Sequence, residues 1–157
     1  MSLPVNVWEL DFFSRPLLDE NGKKRWEILV CTSDNSFRWQ RFCPADSVNS
    51  IWLKQALSDA LAAAEEANTP APKRLRCWRN SMRTMVQRAA VSLGLEMVPS
   101  RRCYALVEWL REREANVYPE MEGHLNGPLA PPPQPIQAAA IPLPEAVRGD
   151  SWGWASL

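Results

Sequence analysis

Residues 37–67 read FRWQRFCPADSVNSIWLKQALSDALAAAEEA, and the hydrophobic period changes inside that stretch. FRWQRFC, residues 37–43, is rich in strand formers and is stopped by Pro44. From Val48 to about Ala67 the period is helical. Ile51, Leu53, Ala56, Leu57, Ala60, Leu61 and Ala64 fall on one face, and Ser47 is a candidate N-cap. A strand giving way to a helix in so few residues points to a mixed α/β domain.

Upstream, residues 5–14, VNVWELDFFS, alternate as a strand does. Trp8, Leu10 and Phe12 face one way, and Glu9, Asp11 and Phe13 the other. Pro16 and Asn21-Gly22 are breaker and turn signals. Residues 25–31, RWEILVC, form a second strand, so the first three strands make an antiparallel meander. Downstream, NTPAP breaks the helix and KRLRCWR, residues 73–79, forms a fourth strand. Its Leu75 and Cys77 point one way, and Arg74, Arg76 and Trp78 the other. Residues 81–93 form a second helix, capped by Asn80 or Ser81 and ended by Gly94. LEMV, residues 95–98, is a fifth strand. A third helix follows over 102–117, with Leu106, Trp109, Leu110 and Val117 inward.

The order βββαβαβα predicts a five-stranded mixed sheet with three helices joined by right-handed crossovers. It is similar to the ribonuclease H-like fold, in which the first strand is central and the fourth lies parallel to it. The expected organisation is a mixed-sheet domain over 1–120, a proline-rich linker over 121–144, and the start of a truncated second domain or a tail over 145–157. Seven of the fourteen prolines lie within 128–144, which gives that stretch polyproline character.

Composition excludes several classes. The 157 residues contain no apolar run near the ~18–20 needed for a membrane helix, and residues 1–30 show no secretory leader. Cys31, Cys43, Cys77 and Cys103 form no C-x-x-C pair and stand far from the lone His124, which argues against zinc. They read as reduced core thiols. The eight tryptophans read mainly as core.

Zero net charge hides an asymmetry. Within 73–113, nine arginines and Lys73 face only Glu96, Glu108 and Glu112, a net of +7, while both flanks are acidic. Such a block is either a solvated face or a nucleic-acid footprint. On the second reading the binding residues are Arg74, Arg76, Trp78, Arg79, Arg83, Arg101 and Arg102. Arg74 and Arg76 share a strand face with Trp78, which either packs in the core or stacks on a base. Arg79 and Arg83 sit at the start of the second helix, where backbone N–H groups also favour phosphate. Arg101 and Arg102 open the third, so the three clusters are expected to meet at one end of the sheet. Reversing the charge of Arg79 and Arg83 is expected to flatten the salt dependence of binding while leaving thermal stability nearly unchanged.

Catalytic signals are sparse. No phosphate-binding glycine loop, dinucleotide motif or nucleophile elbow occurs. Two-metal nucleases of the ribonuclease H-like fold need several carboxylates to offset the ions. Here Asp11 occupies the first such position, but the first helix offers Ile51, Trp52 and Lys54, and the fourth strand ends in Trp78, Arg79 and Asn80. Asp11 therefore reads as an arginine partner rather than a metal ligand, no cofactor is expected, and a binding protein is favoured over an enzyme. A metal-dependent nuclease using Asp11 with carboxylates such as Glu9 or Asp59, and an assembly scaffold gripping a protein through its Trp-rich sheet and proline-rich tail, remain as alternatives.

Four strings together carry a resemblance: WELDFFSRPLLDENGKKRWEILVC, FRWQRFCPADSVNSIWLKQAL, RCWRNSM and VPSRRCYALVEWLREREANVYP. They resemble the Tab/Atab family of RNA-binding translation activators of cyanobacteria and chloroplasts from about Trp8 to Pro119, and again, weakly, at IPLPEAVRGDSWGWASL. Members of that family are longer, so the chain is expected to be an N-terminal portion. The resemblance implies RNA binding, a role in translating photosystem subunit messages or in photosystem biogenesis, and a cyanobacterial cytosol or plastid stroma as the location; the expected partner is messenger RNA in single-stranded form.

Overall fold

The computed structural model describes residues 6–125. Five strands, β1 (Val7–Leu18), β2 (Lys24–Thr32), β3 (Arg38–Cys43), β4 (Arg74–Cys77) and β5 (Glu96–Pro99), form one sheet in the order β3-β2-β1-β4-β5. Three helices follow the expected alternation: α1 (Ser50–Glu66), α2 (Arg83–Ser92) and α3 (Tyr104–Asn116). β1, β2 and β3 pair antiparallel through short turns. β4 joins β1 in parallel and β5 joins β4 in parallel. Parallel neighbours need a crossover, and α1 and α2 supply one each. The sheet is thus mixed, with the first strand central and the fourth parallel to it, in the ribonuclease H-like manner.

Strand alternation sorts the side chains into two cores. Trp8, Leu10, Phe12, Ile28, Val30, Leu75, Cys77 and Met97 line the face covered by α1 and α2. Phe12 stacks on Trp52 of α1 at 5.6 Å between ring centroids, and Trp8 stacks on Phe37 at 5.5 Å. Each such pair adds about 0.5–1.5 kcal/mol beyond burial. The opposite face holds Leu29 and Cys31 against Leu106, Trp109 and Leu110 of α3. No helix among the described residues is long and apolar enough to cross a membrane.

Four local expectations are corrected. Pro16 does not end the first strand. β1 runs on to Leu18 with a register shift between Ser14 and Leu18, because β4 pairs only with Val7–Leu10 and leaves that edge free of ladder bonds a proline would break. Asn49, not Ser47, caps α1, its side chain accepting from Trp52 N at 2.8 Å. Ile51 is exposed, since it lies about 200° around the helix from Leu53. α2 begins at Arg83 after a 3₁₀ turn over Asn80–Met82, with no side-chain cap.

After α3 the chain returns to β1. Leu18 N donates to Gly123 O at 2.9 Å, and Leu17 bridges His124. Gly123 has φ +86°, and a Cβ there would lie 2.2 Å from Leu18 O, so only glycine fits the approach. The proline-rich stretch 128–144 and the segment 145–157 lie outside the described residues.

Candidate nucleic-acid interface

β1, β4 and β5 run in one direction, so their carboxyl ends share one end of the sheet. In open α/β sheets that end is where loops build ligand sites. Trp78 and Arg79 directly follow β4, while Arg101 and Arg102 follow β5. The Arg76 Nη1 donates to the Arg102 carbonyl at 3.1 Å and ties the two segments together. Arg101 and Arg102 are exposed, as is Tyr104 at the start of α3, where 76% of its surface is open. Arg76, Trp78, Arg79, Arg101 and Arg102 therefore lie at one end of the sheet. Arg83 opens α2 beside them and donates to Asn80 Oδ1 at 3.3 Å. Arg74 is not brought to the group. It starts β4 at the opposite end of the strand and pairs with Glu96 at 2.7 Å, both side chains being exposed.

Arg79 is more than a surface cation. Its Nε donates to Asp11 Oδ1 at 2.7 Å, and its Nη2 lies 3.5 Å from Asp11 Oδ2. Its guanidinium carbon lies 4.0 Å from the Phe13 ring centroid and 4.7 Å from that of Trp78. Asp11 is fully buried in β1 and also accepts from Arg15 Nη1 at 3.0 Å. The expected arginine pairing of Asp11 is present, with two arginines rather than one. The geometry argues against the expectation that Arg79 can be reversed without loss of stability, because a glutamate there would set a second carboxylate against buried Asp11, which would keep only Arg15 as a partner.

The same geometry tests the fit of a metal pair. Two divalent ions need several carboxylates at one point. Both oxygens of Asp11 face guanidinium groups, and the position after β4 carries Arg79. Among the described residues no three His, Cys, Asp or Glu side chains come together. The residues around Asp11 do not fit a two-metal centre.

Beside Asp11 lies a second buried carboxylate. Glu27 of β2 accepts from Arg15 Nε at 3.0 Å, from Gln40 Nε2 at 2.7 Å, from the Arg113 guanidinium and from the Tyr118 hydroxyl. Burial pulls the Arg15 pKa down, but the Asp11 carboxylate, followed by Tyr118 and Glu27, more than offsets this and raises it. Burial pushes the Tyr118 hydroxyl up, out of any physiological titration. Glu9, the third buried acid of this face, accepts from Leu106 N at 2.9 Å and so satisfies a free N–H at the start of α3. Arg15, Glu27 and Arg113 were absent from the sequence-based site. The signal for Arg113 was present: 106, 109, 110 and 113 form one helical stripe, so a charge on it points inward.

Residues 7–113 match the model of a family described as RNA-binding protein Tab2/Atab2, N-terminal. The chain is similar to the Zea mays protein named TAB2 homolog, chloroplastic, with 42% identity over 156 residues, covering 98% of this chain and 38% of the relative. The Arabidopsis thaliana protein of the same name is 36% identical over 157 residues, 98% of this chain and 40% of the relative. The chain thus spans about two fifths of the length of these relatives. Among solved structures, the catalytic core of BIV integrase superposes with a TM-score of 0.48 at 8% identity, covering 71% of this chain and 68% of the other. The HTLV-2 integrase core in complex with magnesium gives 0.46 at 11%, covering 76% and 77%. Likenesses this remote carry no functional argument.

Proposed function

The chain belongs to the Tab2/Atab2 family of RNA-binding proteins through their N-terminal domain, and on that premise we propose that it binds single-stranded messenger RNA without cleaving it. The observation that carries the reading is the gathering of Arg76, Arg79, Arg101 and Arg102 with Trp78 at the carboxyl ends of β4 and β5. Arginine forks suit phosphate, and an aromatic ring beside them suits a base. The cationic surroundings of Asp11 support binding over metal-dependent hydrolysis.

The biological role proposed is support for translation of photosystem subunit messages, or for photosystem biogenesis, in a plastid stroma or cyanobacterial cytosol. The names of the chloroplastic relatives support the compartment.

The test is fluorescence anisotropy with a short labelled oligouridylate over a salt series. Contact with about four phosphates gives a log-affinity slope near −2.8, at roughly 0.7 per contact. Substituting Glu at both Arg101 and Arg102 should flatten that slope by about half. Incubation of the same RNA with Mn²⁺ is the control: cleavage abolished by Asp11→Asn would replace this reading with a nuclease.

A further inference from the structure

Arg79 meets Asp11 along one particular edge. The Nε and Nη2 hydrogens of a guanidinium point the same way and form its side edge, and these are the atoms that approach Asp11. The other fork, made by Nη1 and the outer hydrogen of Nη2, is left for something else. Nη1 donates to no protein atom among the described residues, yet it is not one of their buried unpartnered atoms. A quarter of the Arg79 side chain is exposed. The groups that hold it come from two places in the chain: Asp11 and Phe13 from β1, and Trp78 from the position just before it.

We infer that Asp11 is a positioning residue of the RNA site, holding the inner edge of Arg79 so that its outer edge presents two parallel donors to the two free oxygens of a single phosphodiester. The inference rests on the RNA-binding reading above and adds a division of labour to it. Exposed Arg101 and Arg102 act through charge. Arg79, held by Asp11 and flanked by two rings, acts through direction. A free arginine side chain loses rotamer freedom when it grips a ligand, whereas one fixed in advance by a carboxylate and two rings loses little. The buried carboxylate at mid-β1 thus orients a phosphate-binding arginine where a two-metal enzyme of this topology would use it on an ion.

The experiment uses the whole chain and the labelled oligouridylate. Removing a negative charge beside a polyanion site should tighten binding if charge alone matters. If Asp11 positions Arg79, Asp11→Asn weakens binding by about fivefold instead. Arg79→Lys keeps the charge, loses the fork, and weakens binding about tenfold with the salt slope retained. In the Arg79→Lys background Asp11→Asn should cause no further weakening, a non-additivity that a merely structural Asp11 would not produce. Thermal melts fix a temperature at which every variant is folded. Should Asp11→Asn not fold, Arg79→Lys decides alone: affinity equal to the unaltered chain overturns the inference. Unchanged or tighter binding by folded Asp11→Asn overturns it while the RNA-binding reading stands. Failure of the unaltered chain to bind RNA sinks that reading and this inference with it.

Discussion

Glu27 of β2 and Arg113 of α3 are 86 positions apart in the chain and form a buried ion pair, with the Glu27 side chain wholly enclosed. Arg15 and the Tyr118 hydroxyl complete its surroundings. The pair clamps α3 and the turn after it onto the sheet. Arg113→Ala leaves a buried carboxylate short of one partner, and the expected loss is about 3–5 kcal/mol. Urea unfolding of both proteins measures it. A loss below about 1 kcal/mol would mean that α3 is held by its apolar stripe alone.

The return of the chain to β1 depends on Gly123. Alanine there meets Leu18 O at an impossible distance and an unfavourable φ. The left-handed conformation alone costs about 1–2 kcal/mol. Gly123→Ala should therefore lower the melting midpoint and speed amide exchange at Leu18, whose N–H donates to Gly123 O. Unchanged exchange at Leu18 would contradict the contact.

The cap of α1 offers a milder case. Asn49 is exposed and its side chain accepts from Trp52 N. Asn49→Ala should cost about 1 kcal/mol, read from the same urea curves. Ser47→Ala, at the position favoured by sequence alone, should cost less.

Acid sensitivity follows from Asp34. Its carboxylate accepts from the Ser36 backbone and hydroxyl and from the Thr32 hydroxyl, and its pKa is lowered to about 2. A depressed folded-state pKa gives stability that is fully present above the unfolded value near ~4 and is lost as pH falls toward 2. Carboxyl NMR should place the Asp34 midpoint near 2. A midpoint near 4 would mean that the Thr32–Ser36 turn is not closed in solution.

The thiols behave oppositely. Burial raises Cys77 to about 11, and Cys43 and Cys103 to about 12. A raised thiol pKa favours the folded chain below the unfolded value near ~8.5, and that contribution is lost as pH rises toward the folded value. At pH 8 iodoacetamide should label these cysteines slowly in the folded chain and quickly in urea. Rapid labelling of the folded chain would show that the cores open.

Much of the architecture was legible in the chain because periodicity is a local property. The change of period after Cys43 marked strand and helix, and alternation placed Leu75 and Cys77 on one face of β4 and Arg76, with Trp78 just past the strand, on the other. The extension of β1 past Pro16 was hidden, since it depends on which neighbour pairs with that edge. Ile51 was misplaced because a run of apolar residues hides a rotation of about 200°.

Sequence alone determined the order of elements, the faces of the strands, the arginine-rich block and the family likeness. Tertiary structure alone decided which charges are spent inside the protein. Asp11 and Arg79 lie 68 positions apart, and nothing local to either names the other. The parallel pairing of β1 with β4 puts them side by side, while Arg74, three residues before Cys77, is left at the far end with Glu96. The reason is physical. Side-chain period is set within a few residues, but the partner of a buried charge is set by the crossover that carries one strand back beside another.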